Sequence, residues 1–108
     1  MQVAQVPPGQ FGIFVVGLDG SGSTTVNQGV LCITGPTGRF NSAGQIWQAD
    51  ASGLASLGID LQQVPTPTAL VATNPGDTLF FQAWHRDVPP SPGVAGSNFT
   101  SGVQVTFN

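Results

Sequence analysis

Lysine, glutamate and tyrosine are absent from this sequence, and its strong bases are two arginines, Arg39 and Arg86. Two cations cannot neutralise a phosphate track, so the composition argues against a nucleic-acid partner. Without lysine there is no intramolecular lysine–asparagine isopeptide crosslink. Without lysine and glutamate the usual builders of exposed helix faces are missing. The 15 Gly and 9 Pro interrupt what remains, which excludes a helical bundle. Cys32 is alone, so no internal disulfide can form. No apolar run is long enough to span a bilayer. The opening residues, Met1 to Pro8, lack the basic and apolar regions of a signal peptide. The chain is therefore expected to be either cytoplasmic or a piece of something longer. Its richness in Thr, Ser, Gly, Gln and Asn favours the second, an extracellular or cell-surface bacterial module.

What is present is enough apolar residue for one core. The hydrophobic fraction is 40% over 108 residues and the net charge is −3, which argues against disorder. One domain over residues 1–108 fits this length. Apolar alternation punctuated by Gly and Pro recurs along the chain. Strands are expected at Val3–Val6, Phe11–Gly17, Gln28–Thr34, Leu54–Leu61, Ala69–Thr73, Thr78–Asp87 and Gly102–Phe107. Shorter extended pieces are expected at Gly38–Asn41 and Gln45–Gln48. Leu18–Thr24 and Val88–Asn98 read as loops. Asn74-Pro75-Gly76-Asp77 reads as a type II turn. About seven or eight short strands with no substantial helix predict an all-β, immunoglobulin-like antiparallel sandwich, its last two long strands paired antiparallel.

Alternation assigns two faces to the most aromatic strand. Leu79, Phe81 and Ala83 are expected in the core. Phe80, Gln82, Trp84 and Arg86 then lie on the outer face. Aromatic rings there imply either a covering loop, for which Phe40–Trp47 is the favoured segment, or a contact surface. Cys32, within Val30-Leu31-Cys32-Ile33, reads as a buried small hydrophobe.

Four runs carry a resemblance. They are Pro7-Pro8-Gly9-Gln10-Phe11-Gly12-Ile13-Phe14-Val15-Val16-Gly17, Gly29-Val30-Leu31-Cys32-Ile33 leading to Gly38-Arg39-Phe40, Gly76-Asp77-Thr78-Leu79-Phe80-Phe81-Gln82-Ala83-Trp84-His85-Arg86-Asp87, and Ser97 to Phe107. In that order they resemble a recurrent C-terminal domain of large secreted proteins of environmental bacteria, planctomycetes among them. The resemblance covers nearly the whole chain and brings no known catalytic residues. It implies neighbouring domains in a larger protein. Members commonly carry a second cysteine where this chain has Ala83. The resemblance thus implies that Cys32 is the orphan of a lost core disulfide and that both positions face inward. Members also commonly have an aromatic where this chain has His85, and a longer apolar strand before the Pro-Pro turn, so the first strand here reads as shortened.

Candidate chemistry is sparse. His85-Arg86-Asp87 joins imidazole, cation and carboxylate, and a triad would need Ser101, Thr78 or Cys32 beside His85. Neighbours on a strand point to opposite faces, so the favoured reading is structural, with no catalytic residue assigned. Arg39 and Arg86 are expected to pair with aspartates, Arg86 with Asp77 or Asp87 first. Asp19-Gly20-Ser21-Gly22-Ser23 supplies too few oxygens for calcium, and one His with one Cys supplies too few ligands for zinc or iron. No metal or cofactor is assigned. Asn98-Phe99-Thr100 matches a glycosylation sequon, read as coincidence. Trp47, Trp84 and Phe40, with Gln45, Gln48 and Asn41, form a candidate sugar-stacking set, against the favoured reading that Trp47 and Phe40 cover the outer face near Trp84.

Two functions follow. The leading one is a non-catalytic structural or interaction module that self-associates, as an oligomer or filament subunit, because few charges and no lysine protect its strand edges. Arg39, Arg86, Asp87 and Trp84 are its expected structural or interaction residues. The other is a polysaccharide-binding module using Trp47, Trp84 and Phe40.

Overall fold

The computed structural model describes residues 1–4, 6–20, 22–26, 29–42, 44–87, 96–100 and 102–107. These form strands and turns with no helix, and every strand pairing among them is antiparallel. The strands are β1 (Gln2–Val3), β2 (Phe11–Asp19), β3 (Thr24–Val26), β4 (Gly29–Leu31), β5 (Thr34–Arg39), β6 (Trp47–Gln48), β7 (Ala55–Ser56), β8 (Val64–Pro65), β9 (Leu70–Val71), β10 (Thr78–Asp87), β11 (Gly96–Phe99) and β12 (Val103–Thr106).

One sheet organises the rest. β10 and β2, the two longest strands, lie side by side at its centre, with Ala83 opposite Phe14 and Phe81 opposite Val16. β11 and β12 line the far side of β10, and β5 and β6 line the far side of β2. The period-two expectation for β10 holds: Leu79, Phe81 and Ala83 are buried in the core, with Phe14 and Val16 from β2. The expected pairing of the last two long strands also holds, from Thr78 opposite Thr106 to Phe81 opposite Val103. The expected turn at Asn74–Asp77 forms, with Gly76 at φ 89° as a type II turn requires and the Asp77 N–H donating to the Asn74 carbonyl at 3.1 Å.

The core face of the sheet is covered by a second, thinner layer made of two short ladders, β1–β7 and β8–β9, and their connections. Val3, Val6, Ala49, Ala55 and Val64 from this layer pack into the core. It approaches closest at Gly38, where a side chain would run into the Pro65 carbonyl. The opposite face is covered in part by residues 29–33. Ile33 packs onto Gly17, and Phe80 packs onto Gly20.

Several boundaries differ from the sequence expectations. β5 runs through Gly35-Pro36, which reads as a stop; it lies at the sheet edge, where proline needs no ladder partner. Within Leu54–Leu61 the ladder is confined to Ala55–Ser56, and Leu57 and Ile59 continue it only as partly buried side chains on the core. The expected loop Val88–Asn98 ends early, because β11 starts at Gly96; residues 88–95 lie outside those described, as does Gln28.

Candidate functional site

Gln82 holds the outer cover in place. It is 2% exposed, although its even position predicts the outer face of β10. Its Nε2 donates to the carbonyls of Val30 at 2.8 Å and Thr100 at 2.6 Å, and its Oε1 accepts from the Cys32 N–H at 2.9 Å. One amide thereby satisfies three backbone groups from two distant segments. The cover of the outer face is the 29–33 segment, not the expected Phe40–Trp47 segment.

Phe40 and Trp47 lie on the other face. Phe40 is 1% exposed and Trp47 is 6% exposed, both within the core. Trp47 stands opposite Gly12, on the face that Gly12 shares with His85, and a side chain at Gly12 would collide with the indole ring. The Trp47 and Phe14 ring centroids are 5.7 Å apart. The Trp47 Nε1–H finds no acceptor among the described residues. Neither Phe40 nor Trp47 presents a surface on which a sugar could stack. Neither covers the outer face near Trp84.

Trp84 remains half-exposed, beside Ile13 on one neighbouring strand and Phe99 on the other. The Arg86 guanidinium carbon lies 5.6 Å from the centroid of the Trp84 ring, a cation–π contact. The expected pairing of Arg86 with Asp77 does not form. The two stand at opposite ends of extended β10, roughly 30 Å apart at ~3.3 Å per residue. Asp77 instead accepts from the Asn74 N–H at 2.8 Å. Asp87 ends β10, and its side chain lies outside the described part, as do Asp19, whose side chain is not described, and Ser21 of the calcium-like loop. Arg39 is exposed, and no ion pair joins it to a carboxylate among the described side chains. The aspartates serve turns. Asp50 accepts from the N–H groups of Ser52 and Leu54, and Asp60 from that of Gln62. The described charges pin turns and an indole face, and the expected pairing of Arg86 with Asp87 lies outside the described side chains.

Cys32 is half-buried, and its backbone sits over Gln82 on the outer face. Ala83 points into the core on the opposite face. A cysteine at position 83 would face away from Cys32, so the implied core disulfide does not fit this arrangement.

His85 is buried on the core face, as its odd position predicts. Its Nδ1 lies 2.9 Å from the Arg86 carbonyl. A carbonyl only accepts, so Nδ1 is the donor in this contact. The proposed nucleophiles do not meet it. Thr78 is seven residues away along β10, roughly 23 Å at ~3.3 Å per residue, and bonds Thr106 at 2.9 Å. Cys32 is across the sheet, and Ser101 lies outside the described residues. No cluster of three metal-ligating side chains occurs among the described residues, and none of their helices could cross a membrane, since they form none.

A groove of about 930 Å³ lies between β1 and the β11–β12 edge. Met1 and Val3 form one wall, Val103, Val105 and Phe107 the other, and Phe81 and Ala83 the floor, with Ile59 and Leu61 at the rim and His85 and Asn98 among the polar lining. No aspartate or arginine is among its described lining residues. Val103 stands opposite Phe81 and so belongs to the core-facing side of β12, yet it is 54% exposed. Among the described residues the thin second layer covers β12 only in part: Val105 and Phe107 pack against the core half-buried, and Val103 stays exposed. Residue-by-residue reading missed this site. Its signal is the absence of any charge after Asp87, combined with the alternation of Val103, Val105 and Phe107.

No family model matches the chain, and neither a curated protein nor a solved structure is found that is significantly similar to it.

Proposed function

We propose that this chain is a non-catalytic structural or interaction module, an immunoglobulin-like sandwich belonging to an extracellular or cell-surface bacterial protein, and that it self-associates by strand addition. The groove over β12 carries this reading. Among the described residues β12 pairs on one side only and leaves Val103 exposed, and an added extended segment would complete it by hydrogen bonding and by burial. The resemblance of the four sequence runs to a domain of large secreted proteins supports the location. Sedimentation velocity of the intact chain over a wide concentration range tests self-association. The sedimentation coefficient is expected to rise with concentration, and a strict monomer throughout would end this reading.

Glycan binding is the second reading, narrowed to one platform. Trp84 is half-exposed on a sheet face that also carries exposed Phe11 and Gln48 and the Arg86 guanidinium. A flat ring beside amide and guanidinium donors suits a pyranose. If it binds polysaccharide, Trp84→Ala lowers retention on a polysaccharide column at least about tenfold, equivalent to about 1.4 kcal/mol. Equal retention of both proteins, or none by either, removes it.

A further inference from the structure

We infer that the segment filling the groove is β9 of a second copy, so that the contact between copies is head-to-tail. This inference rests on the self-association reading and specifies its two surfaces. It begins with the strand edges. β5 carries Pro36 and Arg39, residues that discourage pairing at an edge, and β8 packs against it. β11 has β4 beside it. Among the edges without charge or proline, two are described with an apolar strand side chain more than half exposed, Val103 of β12 and Leu70 of β9. β12 borders the groove. β9 is paired on one side only, with β8.

β9 has the chemistry that the groove asks for. No ionisable residue lies between Asp60 and Asp77. Thr68-Ala69-Leu70-Val71-Ala72 is exposed throughout, and Leu70 is 61% exposed. With Thr73 it makes six residues, roughly 20 Å when extended. The described lining has no charged side chain, and its one formal charge, the Met1 ammonium, is bonded to the Leu57 carbonyl at 2.8 Å, so an uncharged apolar strand enters at a lower desolvation cost than a charged one. Setting β9 of one copy along β12 of the next continues the sheet across the contact. It also covers Leu70 and Val103, the exposed apolar side chains of the two edges, in a single interface. Donor and acceptor are different surfaces of one chain. Such a contact does not close on itself at two copies and propagates as a filament or a ring.

Leu70→Asp removes the donor and keeps the groove. Val103→Asp removes the groove and keeps the donor. Each variant alone is expected to sediment as a monomer of 11.0 kDa at concentrations where the unaltered chain assembles. Mixed in equal amounts they retain one working contact per pair, and the expected product is a 1:1 dimer that grows no further. Both positions are more than half exposed, so the folds are expected to survive, as circular dichroism and melting would show. The lysine versions of both variants repeat the test should an aspartate version unfold. If the unaltered chain assembles and either variant assembles as well, or if the mixture stays monomeric, the head-to-tail contact through β9 is overturned while self-association stands. A monomeric unaltered chain overturns both.

Discussion

Replacing Gln82 by alanine is expected to destabilise the protein by about 3 kcal/mol, from three hydrogen bonds at about 1 kcal/mol each. The amide is buried and bonded to the Val30 and Thr100 carbonyls and the Cys32 N–H. Its removal leaves two acceptors and one donor in a site sealed by the 29–33 segment. For a domain of this size the melting temperature is expected to fall by roughly 10–20 °C. The loss should appear at the midpoint of urea unfolding as well. Gln82→Leu separates bonding from packing, because leucine fills similar space and pairs with none of the three groups. It is expected to cost about as much as alanine, since burying unpaired backbone groups carries a penalty of about 1–3 kcal/mol each. A leucine variant as stable as the parent would show that Gln82 acts by volume alone.

The role of Gln82 marks where sequence reading ended. Alternation along β10 was sufficient to send Leu79, Phe81 and Ala83 inward, because the side-chain period of a strand is fixed by its backbone. The turn at Gly76 was legible for the same local reason: a type II turn needs a positive φ at that residue. The identity of the outer cover was not legible. A glutamine at an outward position ordinarily meets solvent, and only the approach of Val30, Cys32 and Thr100 from far along the chain makes it an internal anchor. Trp47 was misplaced for a related reason. Its face depends on β6 pairing with β2 opposite Gly12, a contact 35 positions apart in sequence whose condition is the missing side chain at Gly12. The turn-capping roles of Asp50, Asp60 and Asp77 are local, toward the N–H groups of Ser52, Gln62 and Asn74. Short local side-chain bonds to backbone are the commoner use of Asp in a chain with so few cations. The groove was foreshadowed only as poverty of charge. Its location depends on the second layer leaving Val103 exposed, a contact that no local pattern encodes.

Phe40→Ala and Arg39→Ala, neighbours in sequence, are expected to differ by nearly the whole range of single-substitution effects. Phe40 is 1% exposed and packs in the core cluster, and its N–H donates to the Phe14 carbonyl at 2.9 Å, extending the β5–β2 pairing one residue past Arg39. Truncating a buried phenylalanine costs about 3–5 kcal/mol, from lost transfer energy and from the cavity left behind. Set against a typical domain stability of about 5–15 kcal/mol, this leaves a protein that is partly unfolded at moderate temperature. Arg39 is exposed, and its removal is expected to change stability by no more than about 0.5 kcal/mol. Urea titration measures both: the Phe40→Ala midpoint drops sharply with an unchanged slope, while Arg39→Ala overlays the parent. The pair also decides between two roles for the aromatic side chain. A ring used for stacking on sugar would leave the midpoint where it is and remove only binding. A ring that closes the core between β5 and β2 moves the midpoint whether or not any ligand exists. A Phe40→Ala protein with parental stability would overturn both the buried position of this ring and the core-side placement of Trp47 argued from it.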